Sequence, residues 1–102
     1  MTEKVFLVMF DAKMRSSADR SNYRAFLAAL KREGFSQLQK SVYIRMFVGG
    51  RSLSSESTRI SRFTPHTVSV RILELSVGTF DAMCNINCEP LKFVPLGKVI
   101  CI

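Results

Sequence analysis

The sequence predicts a single α+β domain whose strands and helices follow the order β-α-β-β-α-β, with one further strand at the C-terminus. Three observations predict it. Short apolar runs with the period of strands alternate with two stretches of helical period. Glycine, proline and serine punctuate the joints between them. At 102 residues, 47% apolar and 23% charged, the chain can bury one thin core and lacks the composition of a disordered segment.

The first element is the run Val5-Phe6-Leu7-Val8-Met9-Phe10, which stops at Asp11. Its length and its β-branched and aromatic content make it a strand. A strand apolar on both faces must be covered on both. Two helices cover only one face of a sheet in a domain this small, so the other face calls for a partner, and a homodimer is expected. Ser16-Ser17-Ala18-Asp19 is a capping-box-like start for the first helix. Tyr23, Phe26, Leu27 and Leu30 then recur at i, i+3, i+4 and i+7 as its apolar stripe, and Gly34 ends it. On the same helix Arg20, Arg24 and Lys31 fall within about 40° of one another, a basic ridge beside the stripe.

Residues 35–39 and 41–48 read as two consecutive strands. In the second, Val42, Ile44 and Met46 alternate with Tyr43, Arg45 and Phe47, and Gly49-Gly50 breaks the pattern. Residues 52–63 form a serine-rich second helix with Leu53, Ile60 and Phe63 on one side, ended by Thr64-Pro65. Residues 67–76 alternate through Val68, Val70 and Ile72 as a strand. A helical turn over 79–83 follows, then a loop-rich stretch bracketed by Pro90 and Pro95, then an apolar strand over 98–102. An unpaired apolar terminus invites aggregation, so this strand is expected to pair with a sheet edge. The order is the split βαβ, ferredoxin-like arrangement. Residues 1–83 form the ferredoxin-like core, and residues 84–102 form a C-terminal extension with the terminal strand.

The formal charge is +7 and the sequence pI about 9.8, which favours a polyanionic partner, either nucleic acid or an anionic membrane surface. Between residues 13 and 71 the cations are opposed only by Asp19, Glu33 and Glu56. Glu3 interrupts the N-terminus, and the run at 5–10 is too short for a signal core or a membrane span. Cys84, Cys88 and Cys101 are odd in number without a secretory signal, as expected of reduced thiols in the cytoplasm. A merely basic soluble protein is the plainer alternative at this point, and no membrane-spanning segment is expected.

Asp11 is the sharpest candidate for chemistry, because the end of a central strand holds a carboxylate rigidly. A turn or helix-entry aspartate is the plainer alternative. Mg²⁺ prefers octahedral oxygen ligands, so one carboxylate would need waters, phosphate oxygens and the second Asp11 of a two-fold dimer. His66 is the only histidine and has no orienting partner in sequence. Cys84 and Cys88 lack a second ligand pair, so a buried or incidental pair fits them better than zinc. No nucleophile elbow, phosphate-binding loop or dinucleotide fingerprint is present. Lys13, Arg15, Arg20, Arg24 and Lys31 are the candidate nucleic-acid-binding residues, since arginine forks suit phosphodiester oxygens. A solvated helix face is the alternative.

These residues lie in recognisable surroundings. Met9-Phe10-Asp11 ends an apolar strand, and Tyr23-Arg24-Ala25-Phe26-Leu27 leads through Lys31 to Gly34-Phe35. Leu38-Gln39-Lys40-Ser41-Val42-Tyr43 follows, then Arg71-Ile72-Leu73 and Phe80-Asp81-Ala82-Met83. In this order and spacing, over residues 4–83, the chain resembles the CRISPR-associated Cas2 family. The resemblance implies a ferredoxin-like homodimer with a metal-dependent endonuclease activity on RNA or DNA and Mg²⁺ at Asp11. It also implies a central place between Cas1 integrase dimers, where basic residues hold double-stranded spacer DNA during CRISPR adaptation. Residues 89–96 match no pattern of the family, and the second helix is serine-rich rather than rich in lysine and glutamate. A metal-dependent phosphodiesterase and a non-catalytic scaffold both remain open and are not exclusive. A toxin-like ferredoxin-fold ribonuclease, or a non-catalytic small-molecule or nucleic-acid binding module, is the further alternative.

Overall fold

In the computed structural model, which describes residues 3–88 together with the strands at 91–94 and 98–101, the sheet is built around its first strand. The elements are β1 (Glu3–Ala12), α1 (Ser17–Arg32), β2 (Ser36–Gln39), β3 (Val42–Val48), α2 (Leu53–Ser61), β4 (Val68–Ser76), α3 (Val77–Asp81), β5 (Leu91–Val94) and β6 (Lys98–Cys101). The four-stranded sheet has the order β2-β3-β1-β4, with every neighbouring pair antiparallel. This is the expected ferredoxin-like arrangement.

Strand alternation decides what each face carries. Phe6, Val8 and Phe10 face the helices and join Phe26 and Leu30 of α1, Ile60 of α2, and Tyr43 and Val68 in the main core. The Phe10 ring meets Phe26 edge-on at 5.2 Å, and Phe6 stacks on Phe47 at 4.2 Å. Val5, Leu7, Met9 and Asp11 point to the other face. There Val5 and Ile44 pack against Phe80, so α3 covers one end of that face. The turn expected over 79–83 is thus a short helix that starts earlier and closes a second, smaller core.

The helix ends follow the sequence closely. The Ser16 hydroxyl accepts from the Asp19 N–H at 3.1 Å, while the Asp19 carboxylate accepts from the Arg15 N–H at 3.0 Å. At the other end of α1, the Gly34 N–H donates to the Lys31 carbonyl and the Phe35 N–H to the Leu30 carbonyl, each at 3.0 Å. This is a Schellman closure, with Gly34 at φ +93° in the left-handed region. In α2, Ser52 caps the N-terminus, and Thr58 and Ser61 bond back to main-chain carbonyls. The serine-rich sequence is therefore accommodated inside the helix. Glu56 is fully buried on α2, held by Arg51 at 3.1 Å with Arg45 at 3.9 Å.

The C-terminal segment corrects the sequence reading. Leu91–Val94 is a strand rather than loop, and it pairs antiparallel with Lys98–Cys101 in a separate two-stranded sheet. The terminal strand therefore finds its partner in β5, not at an edge of the main sheet. In sequence, β5 occupies the four residues between Pro90 and Pro95, which themselves lie outside the described residues. The expected extension of the last strand to Ile102 lies outside the described residues.

Candidate active site and nucleic-acid interface

Asp11 is the penultimate residue of β1 and lies on the face that α1 and α2 do not cover. Its register partner is Ser69, and Met9 pairs with Arg71. Paired residues share a face, so Ser69 and Arg71 stand on the open side beside Asp11, with Arg71 in the diagonal position that a long side chain spans. β3 pairs with β1 only as far as Met9, and the Phe10 N–H donates to the Ser41 carbonyl at 3.0 Å. Asp11 thus projects from a strand flanked by β4 alone. An open cleft of about 590 Å³ lies there, lined by Met9, Phe10, Asp11, Ser69, Val70 and Arg71.

The Asp11 carboxylate is exposed and takes part in no side-chain hydrogen bond or ion pair among the described residues. Both of its oxygens are free for a hard cation. The described residues contain no group of three or more histidine, cysteine or acidic side chains that would form a metal cage. What the chain offers fits Mg²⁺ held by one carboxylate, waters and phosphate oxygens, an arrangement that ion accepts. Arg71 is likewise exposed and without an ion pair among the described residues, which leaves its guanidinium fork free for a phosphate.

Lys13 and Arg15 follow in the exposed loop from β1 to α1, where the Lys13 N–H donates to the carbonyl of Thr67, the residue before β4, at 2.8 Å. Arg20, Arg24 and Lys31 are exposed along α1, whose buried side carries Phe26, Ala29 and Leu30. None of these five cations is in an ion pair among the described residues. The structure therefore divides the candidates between two surfaces. Asp11 sits on the open sheet face, and the α1 ridge sits on the helix layer behind it.

Arg71 and Ser69 were not among the candidates read from sequence. The alternation of residues 67–76 places them opposite Val68, Val70 and Ile72, but only the pairing of β4 with β1 brings them to Asp11. The open face continues past Met9 into an apolar hollow of about 550 Å³, which includes Leu7, Leu38, Val42, Met83 and Ile86 in its lining. Cys84 and Cys88 also line it and are exposed free thiols, not a buried pair. His66 is exposed in the turn before β4. Among the described residues no helix is long and apolar enough to cross a membrane.

A family model described as CRISPR associated protein Cas2 matches residues 4–83. The chain is 36% identical over 77 residues to a protein of Lacticaseibacillus rhamnosus named CRISPR-associated endoribonuclease Cas2, covering 76% of each chain. It is 34% identical over 88 residues to one of the same name from Ligilactobacillus salivarius, covering 86% of this chain and 87% of the relative. A third, from Acidovorax ebreus, is 34% identical over 77 residues, or 76% of each chain.

Proposed function

The chain belongs to the Cas2 family, and from that premise we propose that it is a CRISPR adaptation protein with a metal-dependent endonuclease site for RNA or DNA at Asp11. In this reading it is a cytoplasmic homodimer that holds double-stranded DNA on its helix layer between Cas1 integrase dimers. Residues 84–102 are an extension appended to the family core.

The observation that carries the reading is the unpaired Asp11 on the open face, with Ser69 and Arg71 across from it on β4. Arg71 would grip the non-bridging oxygens of a scissile phosphate, and the Ser69 hydroxyl would add a hydrogen bond. Asp11 would hold Mg²⁺, which when bound polarises the phosphate and lowers the pKa of a coordinated water. Asp11 is the only carboxylate, and no imidazole accompanies it, among the residues lining the cleft. The cleft lining therefore offers no separate general base among the described residues. A two-fold partner laid on the apolar hollow would bring a second Asp11 to the same seam.

The separation of Asp11 from the α1 ridge supports two independent activities, cleavage at the seam and duplex binding on the helices. The test is cleavage of RNA and DNA by the purified protein with Mg²⁺ or with EDTA, alongside capture of duplex DNA and of the cognate Cas1. Asp11→Ala is expected to reduce cleavage to the EDTA background and to leave both kinds of capture intact. Cleavage undiminished by Asp11→Ala would remove the site from the account. Duplex binding that is insensitive to salt would remove the phosphate surface.

A further inference from the structure

We infer that the groove between α1 and α2 is an additional phosphate-binding site, formed by Arg32 and Arg62, which carries bound duplex DNA from the α1 ridge onto α2. The inference rests on the nucleic-acid reading of the helix layer. The groove has a volume of about 270 Å³ and is lined by Ala29, Arg32, Glu33, Arg59, Arg62 and Phe63. Its single carboxylate is already engaged: Glu33 Oε1 accepts from Arg59 Nε at 2.9 Å and lies 2.7 Å from Arg59 Nη2. Glu33 and Arg59 thus neutralise each other and tie the two helices together. Arg32 and Arg62 line the same groove, both exposed and neither in an ion pair among the described residues. Phe63, which packs on Phe26 at 5.8 Å, and the buried Ala29 supply a floor with no competing side-chain acceptor.

The position suits a continuous track. Arg32 lies about 100° around α1 from Lys31, on the side of Ala29 that faces the groove. A strand of phosphates lying on Arg20, Arg24 and Lys31 therefore meets the groove where it crosses the C-terminal end of α1. Arginine forks present parallel N–H donors to such oxygens. A helix C-terminus also favours a cation on its own account, so the test must read something that pairing with a helix dipole would not move.

That quantity is the salt dependence of duplex binding, measured with a short labelled DNA duplex and the full-length protein. Arg32→Gln/Arg62→Gln is expected to weaken binding and to lower the slope of log affinity against log salt by about 0.9 for each phosphate relinquished. Arg32→Lys/Arg62→Lys keeps both charges at the helix ends and is expected to restore the slope. Lys4→Gln, which removes one charge from the Glu74 ion pair on the sheet, is expected to leave the slope unchanged. If Arg20→Gln/Arg24→Gln lowers the slope while the groove variant does not, the groove inference is overturned and the proposed function stands. If neither lowers it, the nucleic-acid reading of the helix layer fails with it. An equal drop in the Gln and Lys groove variants would reveal damage to the fold, not a lost phosphate, and would also overturn the inference.

Discussion

Phe10 and Asp11 are adjacent in sequence and opposite in environment: one closes the core under α1, the other stands in solvent on the far side of the sheet. That contrast was legible from residue type alone, since an apolar run that ends on a carboxylate marks where burial stops. Arg71 was not legible in the same way, because its nearness to Asp11 depends on a register between β1 and β4 that sequence does not state. Glu56 was harder still. In sequence it is only one of three acids opposing the cations of residues 13–71, yet it is fully buried between Arg45 and Arg51, an outcome decided by packing and not by the pattern of α2. Both arginines remain partly exposed and can rehydrate, so Glu56→Ala is expected to cost about 1–3 kcal/mol, read as a lower midpoint in urea at unchanged slope. Tyr43 makes a different prediction. Burial first, and Tyr23 second, push its hydroxyl above the ordinary value of 10.0. The folded state therefore holds that proton more tightly than the unfolded chain does. The corresponding stability is intact below about pH 10 and is lost as pH rises through the raised folded value. Thermal midpoints measured across this alkaline range should fall less steeply in Tyr43→Phe than in the parent, and parallel curves would contradict the assignment.

At the scale of elements, α1 and its neighbours were readable because each end has a local chemical cause. Ser16 and Asp19 close the start, and Gly34 closes the finish with a backbone conformation that residues with a Cβ avoid. Gly34 also has a long-range reason to be glycine, since a Cβ there would stand 3.2 Å from Arg45 Nε. Gly34→Ala is accordingly expected to lose about 1–2 kcal/mol from the left-handed backbone alone, with further loss if Arg45 is pushed off Glu56. Chemical denaturation of Gly34→Ala, Arg45→Ala and the double variant separates the two: the double variant should be less destabilised than the sum of the two singles by the part due to crowding. β5 was not readable, because two prolines so close together look like a loop when each is taken as a breaker. The four residues between them form a strand because a partner of matching length, β6, lies a few residues on. Pairing across a short connection is a two-body property, and a scan of one segment at a time does not register it.

At the scale of the molecule, the expectation that both faces of β1 are covered is met only in part within one chain. Phe6, Val8 and Phe10 are enclosed by the helices and Val5 by α3, but Leu7 and Met9 are only half-buried, and Leu73 is 46% exposed. Leu7 and Leu73 are register partners, so they sit side by side near the middle of the open face. On one flank lies the apolar hollow, and at the end of β1 lies the Asp11 cleft. A second copy applied to this face would bury the apolar centre, and with its two-fold axis toward the Asp11 end of β1 it would also bring two carboxylates together, which joins the proposed dimer to the proposed chemistry. Leu73→Asp tests that link, because it puts a charge where association removes water, and an unpaired desolvated carboxylate costs several kcal/mol. A loss of that size weakens dimerisation by on the order of 10²-fold or more. Sedimentation should show a dimer for the parent and a monomer for Leu73→Asp at the same concentration, with the circular dichroism spectrum unchanged because the side chain faces solvent in the single chain. Mg²⁺-dependent cleavage should fall along with the dimer, since each site would lose its second Asp11, while the cations of α1 remain on their helix. A parent that sediments as a monomer, or a Leu73→Asp protein that remains dimeric and fully active, would separate Asp11 from any symmetric seam.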